Sequence, residues 1–197
     1  MKISTKTILT FLLLIVVASL YRVWDGRPFG FAPQIAMAIF GGAVIKDKRL
    51  AFLLPLLSML ISDVLYQVLY INGLSTIRGF YVGQWANYLL YAGLTLFGFL
   101  MKKVNVLNVL GFTVSGSLFF FLASNLSVWI AGEGLARPHT WNGLMLCYGD
   151  ALAFHRDYGL INGFAGNFIL GDIFFAAVLF GSYYLLYKTV PEKRELA

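Results

Sequence analysis

Many of the side chains with polar chemistry to offer lie inside apolar runs. Asp63 is the one carboxylate between Leu50 and Ile71, and Gln67 and Tyr70 follow it by four and seven residues. At 3.6 residues per turn the three share a helical face. A carboxylate, an amide and a phenol on one face can hold a polar solute by hydrogen bonds. Gln84, Asn87 and Tyr91, spaced by three and then four, share a face in the next apolar run, and Asn125 and Trp129 share one in the run after that. Gln34, Asn162, Asn167 and Asp172 complete the polar set. From it, Gln34, Asp63, Gln67, Gln84, Asn87, Asn125, Trp129 and Asp172 are the candidate substrate-binding residues.

The cost of placing such groups in hydrocarbon gives the pattern its meaning. A charged side chain at the centre of a bilayer costs about 2.5–3.5 kcal/mol on the translocon scale. An unsatisfied polar group there costs several kcal/mol. The groups therefore converge on a wet pocket or satisfy one another. For Asp63 the plainer alternative is an ion pair with Arg22, Arg27 or Arg78. For the amides it is packing between helices, worth about 0.6 kcal/mol each on average.

Catalytic signatures are missing. The sequence has no G-x-S-x-G, no H-E-x-x-H, no phosphate loop and no C-x-x-C. Asp63 and Asp172 could pair as intramembrane aspartates, but nothing in their flanks supports it. No enzyme activity and no catalytic residue are expected. A single cysteine, Cys147, excludes an intrachain disulfide and a multi-cysteine metal site. Cys147, His139 and His155 are weak metal candidates. Their plainer readings are a small buried hydrophobe and two solvated loop histidines.

These residues are positioned by apolar segments. The 197-residue chain is 59% hydrophobic and 12% charged, against about 25% charged in soluble domains. That composition indicates a single transmembrane domain over 1–197, all-α, built as a bundle of six spans. The spans fall at about 7–22, 32–45, 50–71, 85–101, 106–130 and 162–187, with a short interfacial helix over 142–154. The first run is read as a retained helix, because Ala18-Ser19-Leu20 makes a poor signal-peptide cleavage site. Ala38 with Gly42, and Gly111 with Ser115, are small-residue pairs that allow close helix approach. Gly41 and Gly171 are read as packing residues too.

The net charge of +6 follows the span ends and forms no patch for nucleic acid. Lys2, Lys6, Lys46, Lys48, Arg49, Lys102, Lys103, Lys188, Lys193 and Arg194 fall on one side of the six-span topology. Arg22, Arg27, Arg78, Arg137 and Arg156 fall on the other. The richer side is cytoplasmic by the positive-inside rule, which puts both termini in the cytoplasm. The four tryptophans, Trp24, Trp85, Trp129 and Trp141, and most of the polar set then lie in the outer half.

One combination of residues has a counterpart elsewhere. Phe31-Ala32-Pro33-Gln34, Ala38-Ile39-Phe40-Gly41-Gly42-Ala43, Arg49-Leu50-Ala51-Phe52, Pro55-Leu56 and Ser62-Asp63 come first. Ser124-Asn125, Val128-Trp129, Gly143-Leu144, Cys147-Tyr148, Ala151-Leu152 and Gly171-Asp172 continue the pattern. Over most of 30–181 the chain resembles an uncharacterised bacterial membrane family of S-component-like proteins of energy-coupling factor (ECF) transporters. The stretch 154–166 is expanded relative to that pattern. The resemblance implies a six-helix subunit in the cytoplasmic (inner) membrane that takes up a vitamin or another small water-soluble nutrient. Its loops would act as lids, and its partners would be a transmembrane coupling protein and two ATPases. No cofactor is implied. Some such proteins handle cobalamin, for which Cys147 or a histidine could ligate cobalt. S components dock through small residues on the first helix. Here that helix offers only Ala18 and Ser19, so a solitary transporter is the other reading. An accessory or scaffold protein is the alternative function, and a lipid-modifying membrane enzyme a further one. A scaffold requires the polar groups to pair with each other and leave no cavity.

Overall fold

A computed structural model describes residues 5–132 and 135–189, with side chains over 9–132 and 135–185. The described residues form seven helices: α1 (Thr5–Val23), α2 (Gln34–Val44), α3 (Lys48–Ile71), α4 (Gln84–Gly98), α5 (Val106–Ala131), α6 (Trp141–Tyr158) and α7 (Asn167–Thr189). Lys2, Lys193 and Arg194 of the charge pattern, and the polar tail past 189, lie outside the described residues.

Local chemistry sets several boundaries. The Asp47 carboxylate caps α3 by accepting from the backbone N–H of Arg49 at 2.9 Å and of Leu50 at 3.4 Å. Asn105 caps α5 through the Asn108 N–H at 2.9 Å, and Thr140 caps α6 through the Gly143 N–H at 3.1 Å. Gly132 ends α5 at φ 71°, a left-handed conformation that favours glycine.

Side-chain contacts give the helix directions. Ser19 meets Ser58 and Arg22 meets Asp63, so α1 and α3 run parallel. Asp63 meets Gln84 and Tyr88 while Phe52 meets Phe99, so α4 runs back along α3. Phe97 stacks on Phe112 and Tyr91 on Phe120, so α5 reverses again. Ser117 meets Asp172 and Phe121 meets Phe168, so α7 returns. All four tryptophans therefore gather at one end of the bundle. Lys46, Lys48, Arg49, Lys102 and Lys103 gather at the other.

Among the described residues, three helices, α3, α5 and α7, are long and apolar enough to cross a membrane. The expected second span is shorter than drawn. α2 has 11 residues, or about 16 Å of rise against a hydrocarbon core of about 30 Å. It is instead the buried centre. Gln34 to Gly41 are buried along its length, and it packs on α3, α4, α5 and α7. The last helix also starts later than expected, at Asn167, which leaves Asn162 exposed in the preceding loop.

Small residues let α2 sit there. A methyl on Gly42 would overlap the Thr95 carbonyl oxygen and lie 2.8 Å from Gly98 Cα. One on Gly41 would lie 2.7 Å from the Ala51 carbonyl oxygen. A methyl on Gly171 would lie 3.0 Å from the Phe31 Cα. The Gly111–Ser115 expectation is overturned. Gly111 faces open space and Ser115 is exposed. The inward face of α5 carries Thr113, Gly116 and Ser117, with Gly116 against Ile39 and Leu94.

Replacing Gly42 with Ile should lower the thermal midpoint of the detergent-purified protein sharply, by about 1–3 kcal/mol or more, because backbone cannot yield as a side chain would. Gly111→Ala should be neutral or stabilising by up to about 1 kcal/mol, since it adds helix propensity in open space. Melting curves of the two variants beside the parent check both.

Candidate functional site

The face of α3 expected to line a pocket is sealed. Asp63, 2% exposed, has both oxygens occupied. Oδ1 accepts from Arg22 Nη1 at 2.6 Å. Oδ2 accepts from Tyr88 Oη at 2.6 Å and from Gln84 Nε2. Arg22 Nη1 also donates to Ser62 Oγ at 2.6 Å, and its guanidinium lies over the Tyr66 ring, 5.5 Å from the centroid. Tyr66 Oη donates to the Arg22 carbonyl at 2.7 Å. The ion-pair alternative, with Arg22 as the partner, thus describes Asp63.

The loop over 72–83 covers the rest of that face. Gln67 Oε1 accepts from the Phe80 N–H at 3.2 Å. Arg78 Nε donates to Tyr70 Oη at 3.1 Å. Gly79 lies so close that a side chain there would overlap the α3 backbone at Asp63 and Gln67. Asn87 Nδ2 donates to Tyr81 Oη at 2.8 Å. Gln34 is fully buried, with Nε2 3.3 Å from Ser58 Oγ and Oε1 without a partner. Gln34, Asp63, Gln67, Gln84 and Asn87 therefore serve the packing of α3 and α4 and line neither of the two cavities described next.

A cavity of about 160 Å³ lies elsewhere, among α2, α4, α5 and α7. Its walls include Ile35, Tyr91, Phe120, Phe121 and Phe168, and its polar groups include Ser117, Ser124, Asn125, Asp172 and the His155 imidazole, whose buried Nδ1 has no partner. Asp172, also 2% exposed, accepts from Ser117 Oγ at 2.5 Å. Of the candidates, Asp172 and Asn125 are brought together here. Asn125 and Trp129 also line a neighbouring cavity of about 120 Å³ with Cys147 and the Arg137–Asp150 pair. That pair is bidentate, at 2.7 and 2.9 Å.

The cavity is covered by the 24–33 loop and α6. The Phe29 N–H donates to the Tyr158 carbonyl at 2.8 Å. Gly30, at φ 80°, lies against the His155 ring, where a methyl would sit 2.7 Å from Nδ1. His155 is wedged 4.8 Å from both the Phe29 and Phe168 rings. Asn167, fully buried, ties the return loop down. It donates to the carbonyls of His155 and Ile161 at 2.9 Å and of Phe164, and accepts from the Ile161 N–H at 2.8 Å.

The weak metal candidates are dispersed. His139 Nε2 lies 2.9 Å from the Trp129 carbonyl oxygen, and Cys147 Sγ donates to the Asn125 carbonyl at 3.7 Å. Burial pushes the Cys147 thiol up, away from the thiolate that metals need. Among the described residues no three His, Cys, Asp or Glu side chains gather as a metal site. Ser117 and Phe168 were not singled out by the sequence. Ser117 sits on the α5 face shared by Thr113 and Gly116, and Phe168 is one aromatic residue among many.

Two predictions follow from these contacts. Asp63→Ala strands the Arg22 guanidinium and should cost about 3–5 kcal/mol, while a double Arg22→Leu, Asp63→Leu variant should recover much of it. A double-mutant cycle on thermal midpoints reads the coupling. Burial also pushes the His155 imidazole down to about 4, below the ordinary value of about 6.5. As the pH falls, the unfolded chain takes up this proton first. The associated stability is complete above pH ~6.5 and is lost between there and pH ~4, by on the order of 1–2 kcal/mol. His155→Phe should flatten that segment of a stability-against-pH curve relative to the parent.

No curated protein and no solved structure matches the chain. Residues 2–193 match the family described as "Family of unknown function (DUF6580)", and the chain belongs to that family.

Proposed function

We propose that the chain is a polytopic membrane protein that binds a small water-soluble nutrient, as a substrate-binding, S-component-like uptake subunit. One observation carries this reading: an aromatic cavity with a buried carboxylate, covered by a helix and a loop that can act as lids. Ligand pockets are mostly apolar with a few placed polar groups, as here.

The reading extends to topology. Six passes fit the alternating directions of α1, α2, α3, α4, α5 and α7, with α2 reaching depth through its flanking loops. The basic end of the bundle is then cytoplasmic, with both termini, and the tryptophan end faces outward across the bacterial cytoplasmic membrane. The cavity lies in the half of the bundle nearer that outer end. Ala18 and Ser19 of α1 are buried, with Ser19 Oγ on the Ser58 carbonyl at 2.9 Å. Among the described residues of α1 they leave no small-residue face for a coupling protein. The outward face of α1 is Leu9, Leu13, Val17 and Leu20. A solitary transporter is the form this favours over docking to an ECF module through α1.

The Asp63 cluster favours a second reading. Its groups satisfy one another, as an accessory or scaffold protein would require. The cavity at Asp172 is the point on which the two readings differ.

Native mass spectrometry and thermal melting of the gently purified protein with a panel of vitamins test this. A ligand at a hundred times its Kd should stabilise by about 2.7 kcal/mol. Ser124→Leu, which fills the cavity, should remove that shift and leave the ligand-free midpoint near the parent's. Absence of any bound species and of any shift would favour the accessory reading.

A further inference from the structure

The bundle buries two carboxylates to the same degree and treats them differently. Asp63 and Asp172 are each 2% exposed. Asp63 has a guanidinium, an amide and a phenol. Asp172 has one hydroxyl, Ser117. The described ion pairs are Arg22–Asp63, Arg137–Asp150 and Arg156–Asp157, so among the described residues no Lys or Arg pairs with Asp172. A carboxylate in so apolar a place lacks a counter-charge of its own.

The surroundings suit a cation. Tyr91 and Phe120 stack at 5.0 Å, and Phe121 and Phe168 at 4.9 Å, and all four rings line the cavity. Ring faces attract cations, most strongly where water is excluded. An anion would find no Lys or Arg among the lining residues to offset its charge. Arg137 lines the neighbouring cavity, where Asp150 holds it by two hydrogen bonds. The volume, about 160 Å³, is close to that of an engineered cavity of roughly 150 Å³ that accepts benzene.

We propose that this cavity selects a small one-ring organic cation, with an N–H of the ligand on Asp172 and its ring among Tyr91, Phe120, Phe121 and Phe168. The proposal rests on the nutrient-binding reading above and names its ligand class.

The test compares three probes of one shape and different charge on the detergent-purified full chain: benzylammonium, benzyl alcohol and benzoate. Benzylammonium should bind at least tenfold tighter than benzyl alcohol by calorimetry, and benzoate should give no heat. Asp172→Asn should abolish that preference. Equal or tighter binding of the alcohol or the anion, or a preference that survives Asp172→Asn, would overturn the proposal. Should Asp172→Asn fail to fold, the three probes on the parent protein decide alone. Binding of a neutral or anionic vitamin from the wider panel, with every cation failing, would overturn the cation class and leave the nutrient-binding reading in place. Failure of every compound of every charge would remove both.

Discussion

A carboxylate taken out of water has to be met by donors or by a positive charge, and that requirement shapes this bundle. Around Asp63 it is met from within. Arg22 comes from the end of α1, Gln84 and Tyr88 from the start of α4, and the three contacts join α1, α3 and α4 at one level. The desolvation cost of the pair is offset only while every partner stays in place. Such a cluster specifies which helices meet and in what register. It has no spare valence for a ligand.

Asp172 sits across the core with the same burial and far fewer partners. What separates the two sites is α2. It is short enough to be wholly enclosed, and its small residues bring α3 and α4 onto it at backbone distance. On that side the packing is solid. On the side of α5 and α7 large rings stack in pairs around the cavity. Close packing at glycines on one side and stacked rings around a cavity on the other thus divide one apolar core into a sealed half and a hollow half.

The cover over the hollow half is held by backbone hydrogen bonds and by one side chain. Asn167 fills its amide with three carbonyls and one N–H from the chain that returns from α6. Gly30 allows the other strap to press onto His155. Beside these polar ties, the Phe29, His155 and Phe168 rings hold the cover from the apolar side.

Much of the architecture could be read from the amino acids. Apolar runs of about twenty residues and basic residues at alternate ends place the helices and their order. These are local properties, set by the propensity and hydropathy of neighbours in the chain. The sequence also singles out Asp63, Asp172, Asn125 and the small residues of α2 as polar or small groups inside apolar runs. It could not say which polar groups would be used up. Gln84 reaching Asp63, loop 72–83 closing over Gln67, and Ser117 turning towards Asp172 all join residues far apart in sequence. Their meeting depends on how closely helices approach, and helical periodicity carries no information about that distance. The sequence by itself determined a helical, apolar chain with carboxylates that need partners. Only the tertiary packing decided that one carboxylate finds them inside the protein and the other faces an open cavity.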